Sequence, residues 1–128
     1  MMLFDSVGGE KFFVDLVDRF YDGVETDQVL LPLYPEGSDT VGARRRLALF
    51  LMQYFGGPDT YMQERGHPRL RMRHFPYTIG EKERDHWLLH MISAIDVTVS
   101  ELSTEIQVDV RDELIEYVVN AAEHLRNQ

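Results

Sequence analysis

The sequence predicts an all-α domain in which four substantial helices form two pairs. Three observations point there. Apolar residues recur at i, i+4, i+7, i+8 and i+11 in separate segments, the spacing that lines one face of an α-helix. Glycine and proline clusters punctuate the chain between those segments. The two-residue alternation of a half-buried strand nowhere outcompetes the helical period.

Leu3 to Val7 has room only for a turn or a short helix before the breaker Gly8-Gly9. The first long face follows in Phe13, Val17, Phe20, Tyr21 and Val24. Val29-Leu30-Leu31 is cut by Pro32 and followed by Tyr34-Pro35, which predicts a short helix and a corner, and residues 36–42 have loop chemistry. Ala43, Leu47, Phe50, Leu51 and Tyr54 make the second face, stopped by Gly56-Gly57-Pro58. Residues 58–69 show no period and are expected to be an ordered loop, of a length that small domains usually keep for function. Leu70 to His74 fits a short helical piece between Pro68 and Pro76. Thr78 with Glu81 has the form of a capping box, opening a helix that buries Trp87, Met91, Ala94 and Ile95. Thr104 with Gln107 has the same form and opens a helix with Val110, Leu114, Tyr117, Val118, Ala121 and Leu125 on one face. These last two helices are each about 30 Å long at 1.5 Å per residue. Their link around 99–103 is short, so they should lie antiparallel. The whole chain, residues 1–128, is expected to be one domain.

Composition excludes several classes. The 44% apolar and 27% charged fractions are those of a folded globular domain, not a disordered chain. No uncharged apolar run is long enough to span a bilayer. The start of the chain lacks a basic stretch leading into an apolar one, so a cytoplasmic location is expected. With no cysteine there can be no disulfide, thiolate metal site or cysteine nucleophile. The net charge of −9 argues against nucleic acid as a partner. Yet residues 44–73 hold seven arginines against Asp59 and Glu64, a local +5, while everything else sums to −14. Such a segment suits a local anionic target or a solvated charged face.

Among five histidines, His74 is the most constrained, four residues after Leu70 on a short element bounded by prolines. The alternation there turns Leu70 and His74 inward, with Arg71 and Arg73 pointing elsewhere. That suits an axial metal ligand, though a lone histidine is more often a hydrogen-bonded core or surface side chain. His86 and His90 share a helix face with Glu83 one turn earlier, but no second cluster completes a ligand set, so a solvated face is expected for them. No nucleotide-binding glycine loop, zinc-protease pattern or nucleophile elbow is present. Tyr21, Tyr34 and Trp87 lie among apolar residues, each with a donor that a core must satisfy. They either bond backbone carbonyls or, with the small Ala43 opposite, aim into an open pocket.

Taken in order, Gly8-Gly9, Arg19-Phe20-Tyr21, Tyr34-Pro35, Gln53-Tyr54-Phe55-Gly56-Gly57-Pro58 and the run from Gln63 to His74 resemble the group II truncated haemoglobins of bacteria, near their actinobacterial branch. Trp87, thirteen residues past His74, fits the same pattern. The resemblance covers Phe4 to about Leu125. It departs from the family at Phe55, where relatives often carry Trp, and in a slightly longer loop at 36–42.

The resemblance implies a truncated globin, a two-over-two helical sandwich holding haem b non-covalently. His74 would be the iron ligand, and Tyr21, Tyr34 and Trp87 would be hydrogen-bond donors to a bound ligand. Ala43, Leu47 and Phe50 would line the haem slot, together with Phe20, Leu70 and Met91 from the inward faces. Arg46, Tyr61 and Arg73 would reach the haem propionates. The implied function is reversible binding of O2 and other diatomic ligands. It extends to O2-dependent nitric oxide oxidation or peroxide reduction, served by an unidentified reductase, in a monomer or homo-oligomer. The alternative is a helical interaction or sensor module without haem, its arginine segment meeting an acidic partner.

Overall fold

A computed structural model describes residues 1–128 and contains helices and turns only. The helices are α1 (Leu3–Ser6), α2 (Glu10–Val24), α3 (Val41–Tyr54), α4 (Thr60–Arg65), α5 (Leu70–His74), α6 (Glu81–Val99) and α7 (Thr104–His124), with a single 3-10 turn at Leu31–Leu33. The expected four long helices are α2, α3, α6 and α7. Helix α2 packs on both α3 and α6, and α6 packs on α7. The pairs α2/α3 and α6/α7 therefore meet through α2 and α6.

The core follows the predicted faces. From α2 it takes Phe13, Leu16, Val17, Phe20 and Val24, each at most 1% exposed. Met91, Ala94 and Ile95 of α6 and Val110, Leu114 and Val118 of α7 close over them. Each such side chain contributes about 1.5–3 kcal/mol on burial, which is why these faces dictate how the helices pair. Tyr54 departs from the expected face: it is exposed, its ring 4.1 Å from that of Tyr117 at the surface.

The two paired-glycine stops converge on one residue. A Cβ on Gly57 would lie 2.6 Å from the Phe4 ring and 2.8 Å from the Met52 carbonyl, and Gly9 also borders Phe4. The Phe4 amide donates to the Phe55 carbonyl at 3.0 Å, so α1 plugs the end of α3.

Four local expectations need correction. Residues 58–69 are not all loop, because Thr60–Arg65 forms α4. Six residues are fewer than two turns, too few to display a period. The helix is fixed from outside, by the Gln53 side chain accepting the Met62 amide at 2.9 Å and by Tyr61 packing inward on Phe50. Val41 and Gly42, expected in a loop, already belong to α3. Thr78 caps nothing. Helix α6 starts at Glu81, and it is the Gly80 amide that donates to the Glu83 carboxylate at 2.8 Å. The reason lies far away in sequence: the Ile79 amide donates to Asn127 Oδ1, the Ile79 carbonyl accepts the Asn127 and Gln128 amides, and Asn127 Nδ2 donates to the Tyr77 carbonyl. Residues 77–79 are thereby held as a strap on the C-terminal residues. At α7, Ser103 precedes the first turn, and Gln107 turns back to donate to the Leu102 carbonyl at 2.8 Å.

Candidate functional site

Helix α5 is short, and its entry is strained. Arg69, at φ 45°, is the one non-glycine residue in the left-handed region, a conformation costing about 1–3 kcal/mol. It turns the chain after Pro68 into Leu70–His74. The His74 Nδ1 lies 2.6 Å from the Leu70 carbonyl oxygen. A carbonyl only accepts, so Nδ1 carries the proton, and the neutral ring is left with its lone pair on Nε2. A backbone acceptor on the far ring nitrogen is the arrangement that orients a metal-ligating imidazole.

The three polar aromatics form one contiguous string with Phe20. Trp87 stands edge-on to Phe20 at 5.5 Å, Phe20 to Tyr21 at 4.9 Å, and Tyr21 to Tyr34 at 5.5 Å. Neither tyrosine hydroxyl goes to a backbone carbonyl. Burial pushes the Tyr21 phenol up to about 12, while the neighbouring Tyr34 hydroxyl works the other way. Burial also raises Tyr34, as does its interaction with Tyr21. The two phenols therefore interact with each other, edge-on at the 5.5 Å ring contact. Both phenols stay protonated at neutral pH.

Of the expected slot residues, Phe20, Ala43, Phe50, Tyr61 and Met91 are buried. Leu47 and Leu70 are half-buried against the core. A cavity of about 790 Å³ shares only Leu70 with this set, and the three donors do not line it. It runs instead between the first residues, the end of α3 and α7.

The arginine segment divides in two. Arg44, Arg45 and Arg46 already have carboxylate partners within the chain. Arg44 bonds Asp18, Asp22 and Glu25, and its Nε donates to the buried Thr40 hydroxyl. Its guanidinium also lies 5.8 Å from the Tyr21 ring centroid, so this network braces α3 on α2 beside Tyr21. Arg45 grips Glu64, and Arg46 pairs with Glu36 at 2.9 Å. Arg65, Arg69, Arg71 and Arg73 form no ion pair; Arg71 donates to the His124 carbonyl and Arg73 to the Arg65 carbonyl. The alternation in the sequence predicts that Arg73 points away from the inward face, but it is half-buried and its Nε is buried without any acceptor.

That orphaned donor, one residue from His74, is where the carboxylate of a bound group would be satisfied. With an apolar face, a free imidazole nitrogen and unsatisfied donors, the residues fit a haem, which is an apolar plate carrying two carboxylates.

Sequence reasoning missed one further feature. His86 and His90 do not form a solvated face; both imidazoles bond the Asp27 carboxylate, at 2.9 and 2.7 Å. Their separation from Asp27 in sequence, 59 and 63 residues, left no local signal.

Comparison with known proteins identifies the family. Residues 2–122 match the family described as Bacterial-like globin. Over 120 residues the chain is 37% identical to Group 2 truncated hemoglobin YjbI of Bacillus subtilis, covering 94% of this chain and 85% of that protein. A thermostable haemoglobin from the actinobacterium Thermobifida fusca superposes with a TM-score of 0.90 at 52% identity, over 99% of this chain and 98% of that one. The truncated oxygen-avid haemoglobin from Bacillus subtilis superposes with a TM-score of 0.86 at 35% identity, over 99% of this chain and all of that one.

Proposed function

The chain belongs to the bacterial-like globins, with the two-on-two fold of the truncated haemoglobins and a non-covalently bound haem, and from that premise we propose that His74 holds the haem iron in a protein that binds O2 tightly and uses it to oxidise nitric oxide or reduce peroxide. The observation that carries this reading is the 2.6 Å bond from His74 Nδ1 to the Leu70 carbonyl. It fixes the ring plane and the tautomer, and it increases the electron-donating power of Nε2. Haem supplies an iron centre with an open position for a diatomic ligand and one exchangeable electron, as required for O2 + NO + e− → NO3−.

The chain's own groups account for the rest. Phe20, Ala43, Leu47, Phe50, Leu70 and Met91 line the slot and exclude water. Arg73 Nε satisfies a propionate, with Tyr61 and Arg46 nearby as further candidates. On the ligand side, the Tyr21 hydroxyl and the Trp87 indole N–H would donate hydrogen bonds to a ligand held there, and Tyr34 would orient Tyr21. A hydrogen bond to a charged acceptor contributes about 1.5–3 kcal/mol, so two of them slow ligand release by several powers of ten. That favours reaction with a second small molecule over delivery, and a related protein from Bacillus subtilis is described as oxygen-avid. Turnover needs an electron donor. The four arginines from 65 to 73 that lack carboxylate partners would serve an acidic reductase.

An absorption spectrum of the purified protein tests the reading. A Soret band should be present, and it should vanish in His74→Ala. Mixing the oxygenated protein with nitric oxide should give the ferric form and nitrate. A coloured protein in which the two ligands coexist unreacted would remove the nitric oxide activity while leaving O2 binding intact.

A further inference from the structure

Asp27 follows the end of α2, and its carboxylate is almost fully buried, the side chain 9% exposed. Its two oxygens serve different partners. Oδ1 accepts the Val29 amide at 2.8 Å and the Leu30 amide at 3.3 Å, closing a turn. Oδ2 accepts the ring nitrogens of His86 and His90 from α6, at 2.9 and 2.7 Å.

Both sides of this carboxylate lead to the ligand donors. Along the chain, the Leu31 amide bonds the Asp27 carbonyl, Leu33 bonds Leu30, and Tyr34 bonds Leu31. The turn that starts on Asp27 therefore ends on Tyr34. Across the interface, His86 and His90 flank Trp87, one residue before it and three after. The approach is built into α2 as well. A Cβ on Gly23 would stand 2.3 Å from His90 Nδ1, so only glycine lets that ring reach Asp27. Both imidazoles place their inner nitrogens on Asp27, and no cluster of three metal-ligating side chains occurs in the protein.

We propose that Asp27, through His86 and His90, is a positioning residue for ligand binding: it holds Tyr34, and through its ring contact Tyr21, in register with Trp87, so that the Tyr21 hydroxyl and the Trp87 N–H lie over one ligand. The proposal rests on the haem reading for its effect on ligands, but the clamp itself is a property of the polypeptide. It explains why a carboxylate and two imidazoles occupy the seam between α2 and α6, where apolar residues would pack as well.

The protein has one tryptophan, so its nitrogen–proton correlation spectrum contains one indole N–H signal, with or without haem. Asp27→Ala should shift that signal, move the C–O stretch of the carbon monoxide complex, and speed O2 dissociation about tenfold. Gly23→Ala, which pushes on His90 while favouring the helix, should shift the same signals in a protein that remains folded. In the double variant Asp27→Ala/Trp87→Phe, O2 should leave little faster than from Trp87→Phe alone, because coupled residues are not additive. Reduced thermal stability with an unmoved indole signal and C–O stretch would make Asp27 merely structural and overturn the proposal, as would fully additive rates. A colourless protein whose indole signal still shifts would sink the haem reading and leave the clamp standing.

Discussion

Removing the ligand donors one at a time gives a ranked expectation. In the proposed arrangement Tyr34 would orient Tyr21 by donating to its oxygen, and the Tyr21 proton and the Trp87 N–H would be the two donors to reach a ligand. Deleting either donor removes a hydrogen bond to a charged acceptor, about 1.5–3 kcal/mol. At about 1.4 kcal/mol per tenfold, Tyr21→Phe and Trp87→Phe should each accelerate O2 dissociation about 10- to 150-fold. Tyr34→Phe removes only a bond that orients Tyr21. A neutral hydrogen bond is worth about 1 kcal/mol, so the acceleration should be about fivefold. Aromatic contacts at 4.9–5.5 Å remain in all three variants, since phenylalanine keeps a ring at each position. Stopped-flow displacement of O2 by carbon monoxide measures each rate directly. A Tyr34→Phe effect larger than that of Tyr21→Phe would reverse the direction of donation between the two phenols. Unchanged rates in both Tyr21→Phe and Trp87→Phe would refute hydrogen bonding as the source of slow release.

Three other expectations follow from the same geometry. His74→Ala should lose haem and, with it, the linkage stabilisation of about 2.7 kcal/mol that a cofactor at 100 times its dissociation constant supplies; calorimetry should show the midpoint falling by about 10 °C. Burial alone would raise the Asp27 carboxyl, but the bonds from His86, His90, Val29 and Leu30 outweigh it and hold the group well below the usual carboxylate range. A depressed folded-state value means stability that is fully present above the unfolded value of about 3.9 and lost as pH falls toward the folded one. Urea midpoints of the parent and Asp27→Asn should accordingly differ most at neutral pH, begin to converge as the pH falls below about 4, and meet only in strong acid. Finally, the double reversal Arg65→Glu/Arg69→Glu should slow reduction of the ferric protein by an acidic flavoprotein at least several-fold while leaving the Soret band unchanged, and equal rates in stopped flow would rule out that docking face.

What could be read from the chain depended on distance along it. Helices α2, α3, α6 and α7 were legible because each carries a face several turns long, from Phe13 to Val24 or Val110 to Val118. Helix α4 was not, since its six residues are held by Gln53 and Phe50 rather than by their own pattern. The cap expected at Thr78 failed because Asn127 claims the backbone of Ile79 from 48 residues away. At the site, Tyr21, Tyr34 and Trp87 could be picked out as polar groups on apolar faces. Their mutual arrangement could not, because it depends on the packing of α2 against α6. The arginines illustrate the same limit. One run of positive charge is visible, but Arg44–Arg46 are neutralised by carboxylates of α2 and the residue after it, of α4 and of the loop before α3, leaving only Arg65, Arg69, Arg71 and Arg73 without carboxylate partners.

The strap from Asn127 to residues 77–79 ties the last turn of the chain to the segment that leaves His74. Loosening at the carboxyl end would therefore reach the imidazole within a few residues, although that end is far from it in sequence. For anyone preparing this protein, an affinity tag belongs at the amino terminus, and trimming even two residues from the other end should show up as faster loss of pigment on warming.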